Sequence, residues 1–328
     1  MLLDDGAVCP QSVTGRAGRC AAGLDATFSG NSAFAQGNVG GVTLSAYWWR
    51  PTQDLKTVGK QIIKNPSVWA RQLMLSGRLR NFGDELSRLA LREATGHETR
   101  WVPVSKAEVV GIGSVIEAYI ARNGTGLIWG SGLKHPGGRE DLVNLDNAAL
   151  AVRGTFTRDA LKLRKDLPLG DPGLLARSIF RAAPSRQGVA VLPHYKVFGT
   201  KLGRSAVDGL RAEGARVIVP TAPVQDVCGQ IGSADHLLTS SLHGLVVADA
   251  LGVPASLVSF IPTTEPEFKY FDYMSIFGAT PAFRSAVSLL DPVARSAAQE
   301  LAVERTERIS DAVDSAVEGL LRASQVLR

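Results

Sequence analysis

The sequence predicts an α/β protein made of two Rossmann-like halves that face a common cleft. Three observations carry this expectation. The chain has 328 residues, about two domains' worth at roughly 150 residues each. From residue 81 onward, short apolar runs alternate with helical stretches of about ten residues, the pattern of buried parallel strands joined by crossover helices. The composition, 45% hydrophobic and 20% charged, is that of a globular chain able to bury a core without metals or disulfides.

The three cysteines, Cys9, Cys20 and Cys228, form no CxxC pair, which argues against a disulfide framework and a structural zinc site. The start, Met1 to Asp5, is acidic and no apolar signal core follows it. No apolar run is long enough to span a bilayer. A cytoplasmic protein is the expectation. The formal charge of +5 and pI near 9.2 suit an anionic small substrate or an anionic membrane surface. Basic residues are not interleaved with aromatics in runs, which argues against nucleic acid.

Residues 1–41 hold eight glycines and little periodicity and read as a disordered extension. A first strand follows at 42–49. Residues 52–80 interrupt the rhythm with six basic residues (Lys56, Lys60, Lys64, Arg71, Arg78, Arg80) against Asp54 alone. With Trp69, Leu73, Met74 and Leu75 among them, they read as amphipathic helices, the second opened by Pro66, that either adsorb to an anionic membrane or pack as a solvated insertion on their own domain. A helix at 84–93 comes next, then strands at 100–103, 109–111, 127–129 and 149–153 and a helix at 155–165. The turn at 169–173 separates the N-terminal domain (42–176) from the C-terminal one (177–328). The second domain reads as strands at 188–192, 216–219, 236–239 and 255–260, with helices at 197–213, 224–231 and 243–251. A long amphipathic helix runs from Pro292.

In such folds ligands bind at the carboxyl ends of strands, so the chemistry is sought there. The run 237–244 is the strongest candidate. An apolar strand ends in Ser240 and Ser241, either of which can cap a helix that starts with His243. A helix amino end accepts an anion, and a bound multiply charged anion would raise the histidine's pKa, giving an acid poised by substrate. Arg153, at a strand-to-helix junction, offers a fork for carboxylate or phosphate. Asn81, Gly83 and Asp84 open a helix close to the cleft, although acids at this end argue against a phosphate sitting on it. Gly130 and Ser131, and the 111–114 turn, are glycine turns at strand ends. The latter is no dinucleotide fingerprint, since Ile116 stands where a third glycine belongs. His194 follows another strand, and Lys269 is a cation among aromatics. Asp171 reads mainly as a turn former.

Taken in order, these motifs resemble the polysaccharide pyruvyl transferase family: NFGDEL (81–86), GIGS (111–114), WGSG (129–132), VRGTFTRDAL (152–161), GDPGLL (170–175), LPHYK (192–196), the run 226–254 and FKYFDYM (268–274). The opening motif and the HG followed by VADALGVP look most like the exopolysaccharide ketal-forming type. The resemblance implies a GT-B-like fold, phosphoenolpyruvate as donor, no cofactor or metal, and a pyruvate ketal on a sugar hydroxyl pair, with an acceptor that is lipid-linked at the inner membrane face. It places the family histidine on His243 and its donor arginine on Arg153. Many members carry an arginine two residues before the histidine. Here that position is Ser241, so Lys269 or His194 would have to supply the contact. The rivals are a GT-B glycosyltransferase using a nucleotide sugar and a non-catalytic sugar-binding protein.

Overall fold

In the computed structural model, which describes residues 43–50, 53, 59, 62–63, 66–76, 80–136, 144–261 and 266–328, the apolar runs form two sheets paired entirely in parallel. The expectation for residues 1–41, and much of that for 52–80, lies outside the described residues. The first sheet holds β1 (Thr43–Tyr47), β2 (Glu98–Trp101), β3 (Val109–Val110), β4 (Leu127–Ser131) and β5 (Ala149–Val152) in the order β2-β1-β3-β4-β5. The second holds β6 (Val189–Leu192), β7 (Arg216–Val217), β8 (His236–Thr239), β9 (Ala255–Ser259) and β10 (Phe283–Ser285) in the order β10-β9-β8-β6-β7.

Counted from its own first strand, each sheet has the same doubly wound order, 2-1-3-4-5. The order reverses between β1 and β3 in one sheet and between β6 and β8 in the other. Those reversals are where adjacent crossovers leave on opposite faces and open a crevice.

The helices are α1 (Pro66–Ser76), α2 (Phe82–Thr95), α3 (Ile116–Ala121), α4 (Thr155–Ala160), α5 (Ala176–Ile179), α6 (Lys201–Ala212), α7 (Val224–Gly232), α8 (Leu242–Ala250), α9 (Phe268–Met274) and α10 (Pro292–Ala323). In α2, Phe82, Leu86, Ala90, Leu91 and Ala94 make one buried stripe, and Gly96 ends the helix in the left-handed region at φ 78°. All nine residues of α8 are buried, so this helix lies inside the molecule.

Several boundaries differ from the sequence reading. The helix expected at 155–165 stops at Ala160, and Lys162 takes a positive φ of 54°. The helix expected at 197–213 begins only at Lys201, because Thr200 caps it, accepting from the Gly203 N–H at 3.0 Å, after a separate 3-10 turn Tyr195–Gly199. Helix α9 and strand β10 lacked periodicity long enough to be read.

Helix α10, 32 residues and so about 48 Å long, belongs to both halves. Near its start, the Ser256 hydroxyl donates to the Ala298 carbonyl at 3.2 Å; near its end, the Trp129 indole N–H donates to the Leu320 carbonyl at 3.0 Å. One apolar cluster runs from Leu44, Phe82 and Trp129 to Leu237, Leu245 and Leu320. Both sheets accordingly fall in a single compact unit, residues 41–328. Cys228 is buried in that cluster, and burial pushes its thiol up to about 12, which leaves it inert. No helix among the described residues is long and apolar enough to cross a membrane.

Candidate active site

The two strand-order reversals open onto one cavity of about 410 Å3. Tyr47 and Trp49 reach it from the end of β1, Ser114 from the end of β3, His194 from β6, and Ser241 and His243 from β8. Asn81 and Asp84, at the amino end of α2, and Lys269 of α9 complete its polar wall.

His243 is placed by a hydroxyl-built turn. The Thr239 hydroxyl donates to the Leu192 carbonyl at 2.7 Å and accepts from the Ser241 N–H at 3.0 Å. Ser241 then caps α8, accepting from the Gly244 N–H at 3.3 Å. The His243 side chain packs directly on Gly83, where an added Cβ would collide with its Nδ1, Cγ and Cβ. The glycine of the 81–86 motif is therefore needed for close packing of two helix starts, one from each half. His243 Nε2 stands 4.0 Å from Asp171 Oδ2, too far for a hydrogen bond. Among the described residues neither atom has a hydrogen-bond partner. Burial, aided by the cations Lys269 and Arg153, pushes His243 down to about 3, so the imidazole is neutral in the unliganded protein.

Two carboxyls sit beside it with the opposite shift. Burial pushes Asp84 up to about 7. The hydrogen bond from Asn81 Nδ2, at 2.6 Å, opposes this, Glu85 adds to it, Lys269 opposes it, and Asp171 adds to it. Burial likewise pushes Asp171 up to about 6, against the N–H of Gly173 and the charge of Arg153. A carboxyl that titrates near neutrality, an unpaired imidazole and a lysine in one cavity wall form an acid–base corner.

Of the residues expected at the site, His243, Asn81, Asp84, His194, Ser241 and Lys269 line the cavity, and Gly83 backs the histidine. Arg153 does not line it. This side chain is fully buried, with Nε donating to Asp272 at 2.9 Å, one terminal nitrogen to Ser114 Oγ at 2.7 Å and the other to the Leu133 carbonyl at 2.5 Å. Asp272 is also saturated, accepting from the Thr157 N–H and hydroxyl, both at 2.7 Å. Arg153 thus ties the first sheet to α9 and reaches the site through its bond to Ser114 and through its charge, felt by His243 and Asp171. Gly130 (φ 74°) packs on Pro172, and the Ser131 hydroxyl donates to the Gly113 carbonyl at 2.8 Å; both lie behind the wall. Ser240 accepts from the His194 N–H at 2.8 Å and opens on a smaller neighbouring cavity. His236 is a core histidine, bonded to Ser256 at 2.9 Å.

The sequence reading gave Asp171 a turn, or at most the orienting of a hydroxyl, and did not place it beside His243; it passed over Trp49, Tyr195, Lys134 and Lys196 as cavity residues. Asp171 did carry a signal, since it precedes Pro172-Gly173 at the end of the first half. Its turn role and its proximity to His243 are both real. Trp69 was read as either inserting into a membrane or packing on its own domain, and the structure shows the packing. It is 4% exposed and faces the cavity, because α1 folds its Val68–Trp69 side onto the Tyr195–Gly199 turn.

The sequence model of the polysaccharide pyruvyl transferase family matches residues 64–259, more than half the chain, and takes in β2 to β9. The chain belongs to that family. Among its relatives, the succinoglycan biosynthesis protein ExoV of Rhizobium meliloti is 28% identical over 179 residues, 52% of this chain and 54% of that protein. An uncharacterised protein of Acanthamoeba polyphaga mimivirus is 32% identical over 141 residues, 39% of this chain and 47% of the relative. The chain thus spans about half the length of these curated relatives. The family match stops before Lys269, so α9 and its lysine join the site by tertiary contact.

Proposed function

We propose that this pyruvyl transferase family member moves pyruvate from phosphoenolpyruvate onto two hydroxyls of a saccharide in exopolysaccharide assembly. The product is a ketal and phosphate leaves. The observation that carries the reading is the unpaired His243–Asp171 pair beside Asp84 and Lys269, in a cavity shared by both halves of a chain of this family. A GT-B-like facing of the two sheets and a lipid-linked acceptor belong to the same proposal.

The donor carries a carboxylate and a phosphate and needs cations. Lys134, Lys196 and Lys269 all line the cavity, and they stand in for the arginine that Ser241 replaces. The chemistry then needs one proton at the methylene carbon of the enol phosphate and the removal of one proton from each of two attacking hydroxyls. Asp84, which titrates at about 7 and so keeps a substantial protonated fraction at neutral pH, is the donor to the methylene carbon. The first sugar hydroxyl adds at C2 and passes its proton to the neutral imidazole of His243. The imidazolium so formed is stabilised by Asp171, a positioning residue 4.0 Å away. The C2–O bond to phosphate breaks as His243 returns that proton to the leaving phosphate. The second hydroxyl closes the ketal at C2, and its proton restores Asp84. Two hydroxyl protons thus balance one new C–H bond and one hydrogen phosphate.

The test is to incubate the full chain with phosphoenolpyruvate and saccharide acceptors, following inorganic phosphate and the mass of the sugar product. Phosphate release coupled to a pyruvylated sugar is expected. Glycosyl transfer from a nucleotide sugar, without consumption of phosphoenolpyruvate, would overturn the proposal.

A further inference from the structure

The cavity has a second, chemically different end. Trp49, from the end of β1, and Tyr195, from the end of β6, lie 6.1 Å apart with ring planes only 13° from parallel. Trp69 of α1 leans on Trp49 at 6.4 Å, and the His194 ring lies 4.3 Å from Tyr195. All four line the cavity, in a chain whose aromatic content is only 6%, so their convergence is a concentration rather than background. The wall is assembled from three separate segments: one from each sheet, and one from the basic insertion. Its third member is held by close packing, for α1 rests on Gly199, where a Cβ would collide with Val68.

A three-carbon, multiply charged donor has no use for a cluster of aromatic faces, two of them stacked and the third inclined by 50°. A pyranose does. Its C–H groups gather on one face and its hydroxyls project from the rim. Indole and phenol faces bind the first, and polar side chains at the edge bind the second. Asn81 and Thr200 line the same cavity and can serve that rim. A volume of about 410 Å3 is in the range of pockets for ligands much larger than the donor.

We propose that Trp49, Tyr195 and Trp69 form the acceptor subsite, taking the face of a pyranose ring, and that the helix Pro66–Ser76 of the basic insertion sets acceptor selectivity. The identity of the reaction rests on the pyruvyl transfer reading; the sugar-binding wall does not. The insertion then has a role at the site itself, and shortening or exchanging α1 among related chains would change which saccharide is used.

The experiment has two arms on the full chain. In the first, methyl β-galactopyranoside, methyl β-glucopyranoside and cellobiose are titrated while tryptophan fluorescence is read, with no donor present. Saturable quenching by at least one is expected, lost in Trp49→Leu and retained in Trp49→Phe. In the second, steady-state kinetics with phosphoenolpyruvate should show KM for the acceptor rising about tenfold in Trp49→Leu and Tyr195→Leu, the scale of one aromatic contact, with KM for the donor unchanged. Far-ultraviolet circular dichroism identifies a variant that fails to fold, and Trp49→Phe and Tyr195→Phe then decide by retaining the acceptor KM. Saccharide binding that depends on Trp49 without phosphoenolpyruvate consumption would keep the wall and sink pyruvyl transfer. Turnover with unaltered acceptor KM in both leucine variants, or with donor and acceptor KM rising together, would sink the wall and keep pyruvyl transfer. Neither binding nor turnover would overturn both.

Discussion

Two buried clusters of ionisable groups meet at the same cleft, and they are built on opposite rules. In the first, Arg153 and Asp272 satisfy each other and their neighbours: three donor bonds leave the guanidinium, and the carboxylate accepts from Arg153 and twice from Thr157. In the second, His243 Nε2 and Asp171 Oδ2 face each other 4.0 Å apart without bonding, and Asp84 is held near 7. Burial costs both clusters desolvation; the first recovers it through directed hydrogen bonds to every partner, the second only in part, through Asn81 to Asp84 and Gly173 to Asp171. A saturated cluster holds parts together. An unsaturated one retains free energy that a bound substrate or a moving proton can release. The comparison teaches that charge at a strand end is not by itself a sign of catalysis. What matters is whether its hydrogen-bonding capacity is already used.

The sharpest way to break this comparison is Arg153→Ala. It strands the Asp272 carboxylate in the interior and should cost about 3–5 kcal/mol in denaturant unfolding. Arg153→Lys should cost less but still be measurable, since one ammonium cannot reproduce three directed bonds. Wild-type stability together with a raised KM for phosphoenolpyruvate would return Arg153 to donor binding.

His243→Ala should lower turnover about 100-fold or more, as expected for a group that moves a proton in the transition state. Its melting temperature should stay close to wild type, because the imidazole nitrogen facing Asp171 contributes no hydrogen bond. Full activity in a folded variant would remove the histidine from the mechanism.

Asp84→Asn separates chemistry from stability, and its turnover should fall by a similar factor. The folded protein holds the Asp84 proton up to about pH 7, whereas the unfolded chain releases it near 3.8. Between those values the folded state binds more protons, so this group's contribution is lost as pH rises. His243 acts in the other direction: its folded pKa of about 3 lies below the ordinary 6.5, so its contribution is lost as pH falls through that window. The asparagine variant removes the first dependence and keeps the second. Its melting temperature should therefore gain on wild type steadily from pH 4 to 7 and then level off. A constant difference across that range would contradict the shift assigned to Asp84. In wild type, kcat/KM should decline above about pH 7 as the acid is lost.

The smallest effect sharpens the contrast on α1, whose Trp69 faces the cavity while Met74, 76% exposed, and the neighbouring Ile63, 82% exposed, face out. With the insertion's basic residues worth about 1 kcal/mol each near an anionic surface, sedimentation with anionic vesicles should show binding at low salt and release at high salt. Ile63→Ser with Met74→Ser should weaken it several-fold while leaving acceptor KM unchanged. Equal partition of variant and wild type would end the membrane proposal alone.

Much of this architecture was legible in the chain. Strands at 189–192, 236–239 and 255–259 appeared within a residue of their positions, because a strand buried on both faces reads as an unbroken apolar run. His243 was legible for a similar reason: the strand end, the two serines and the helix start are contiguous, so local rules of capping place it. Helix α9 and strand β10 were not, since seven residues and three residues are too short to show a period.

By itself, then, the sequence determined the parallel α/β class, the alternation of elements, and the residues that stand at strand ends. Those follow from hydrophobic periodicity and local backbone preferences, which act over a few residues. Only the tertiary structure decided which strand-end residues share a cavity, because that depends on strand order and on packing between segments far apart in the chain. Arg153 and Asp272 are 119 positions apart, and their contact commits to a structural tie a fork that the sequence offered to a donor. Gly83 and His243 meet because two helix starts from different halves pack without a side chain between them. Asp171 became a partner of His243, and Trp69 a wall of the cavity, through burial. Desolvation, which depends on everything around a group and on nothing in its immediate sequence, is also what moved Asp84 to neutrality and His243 away from it.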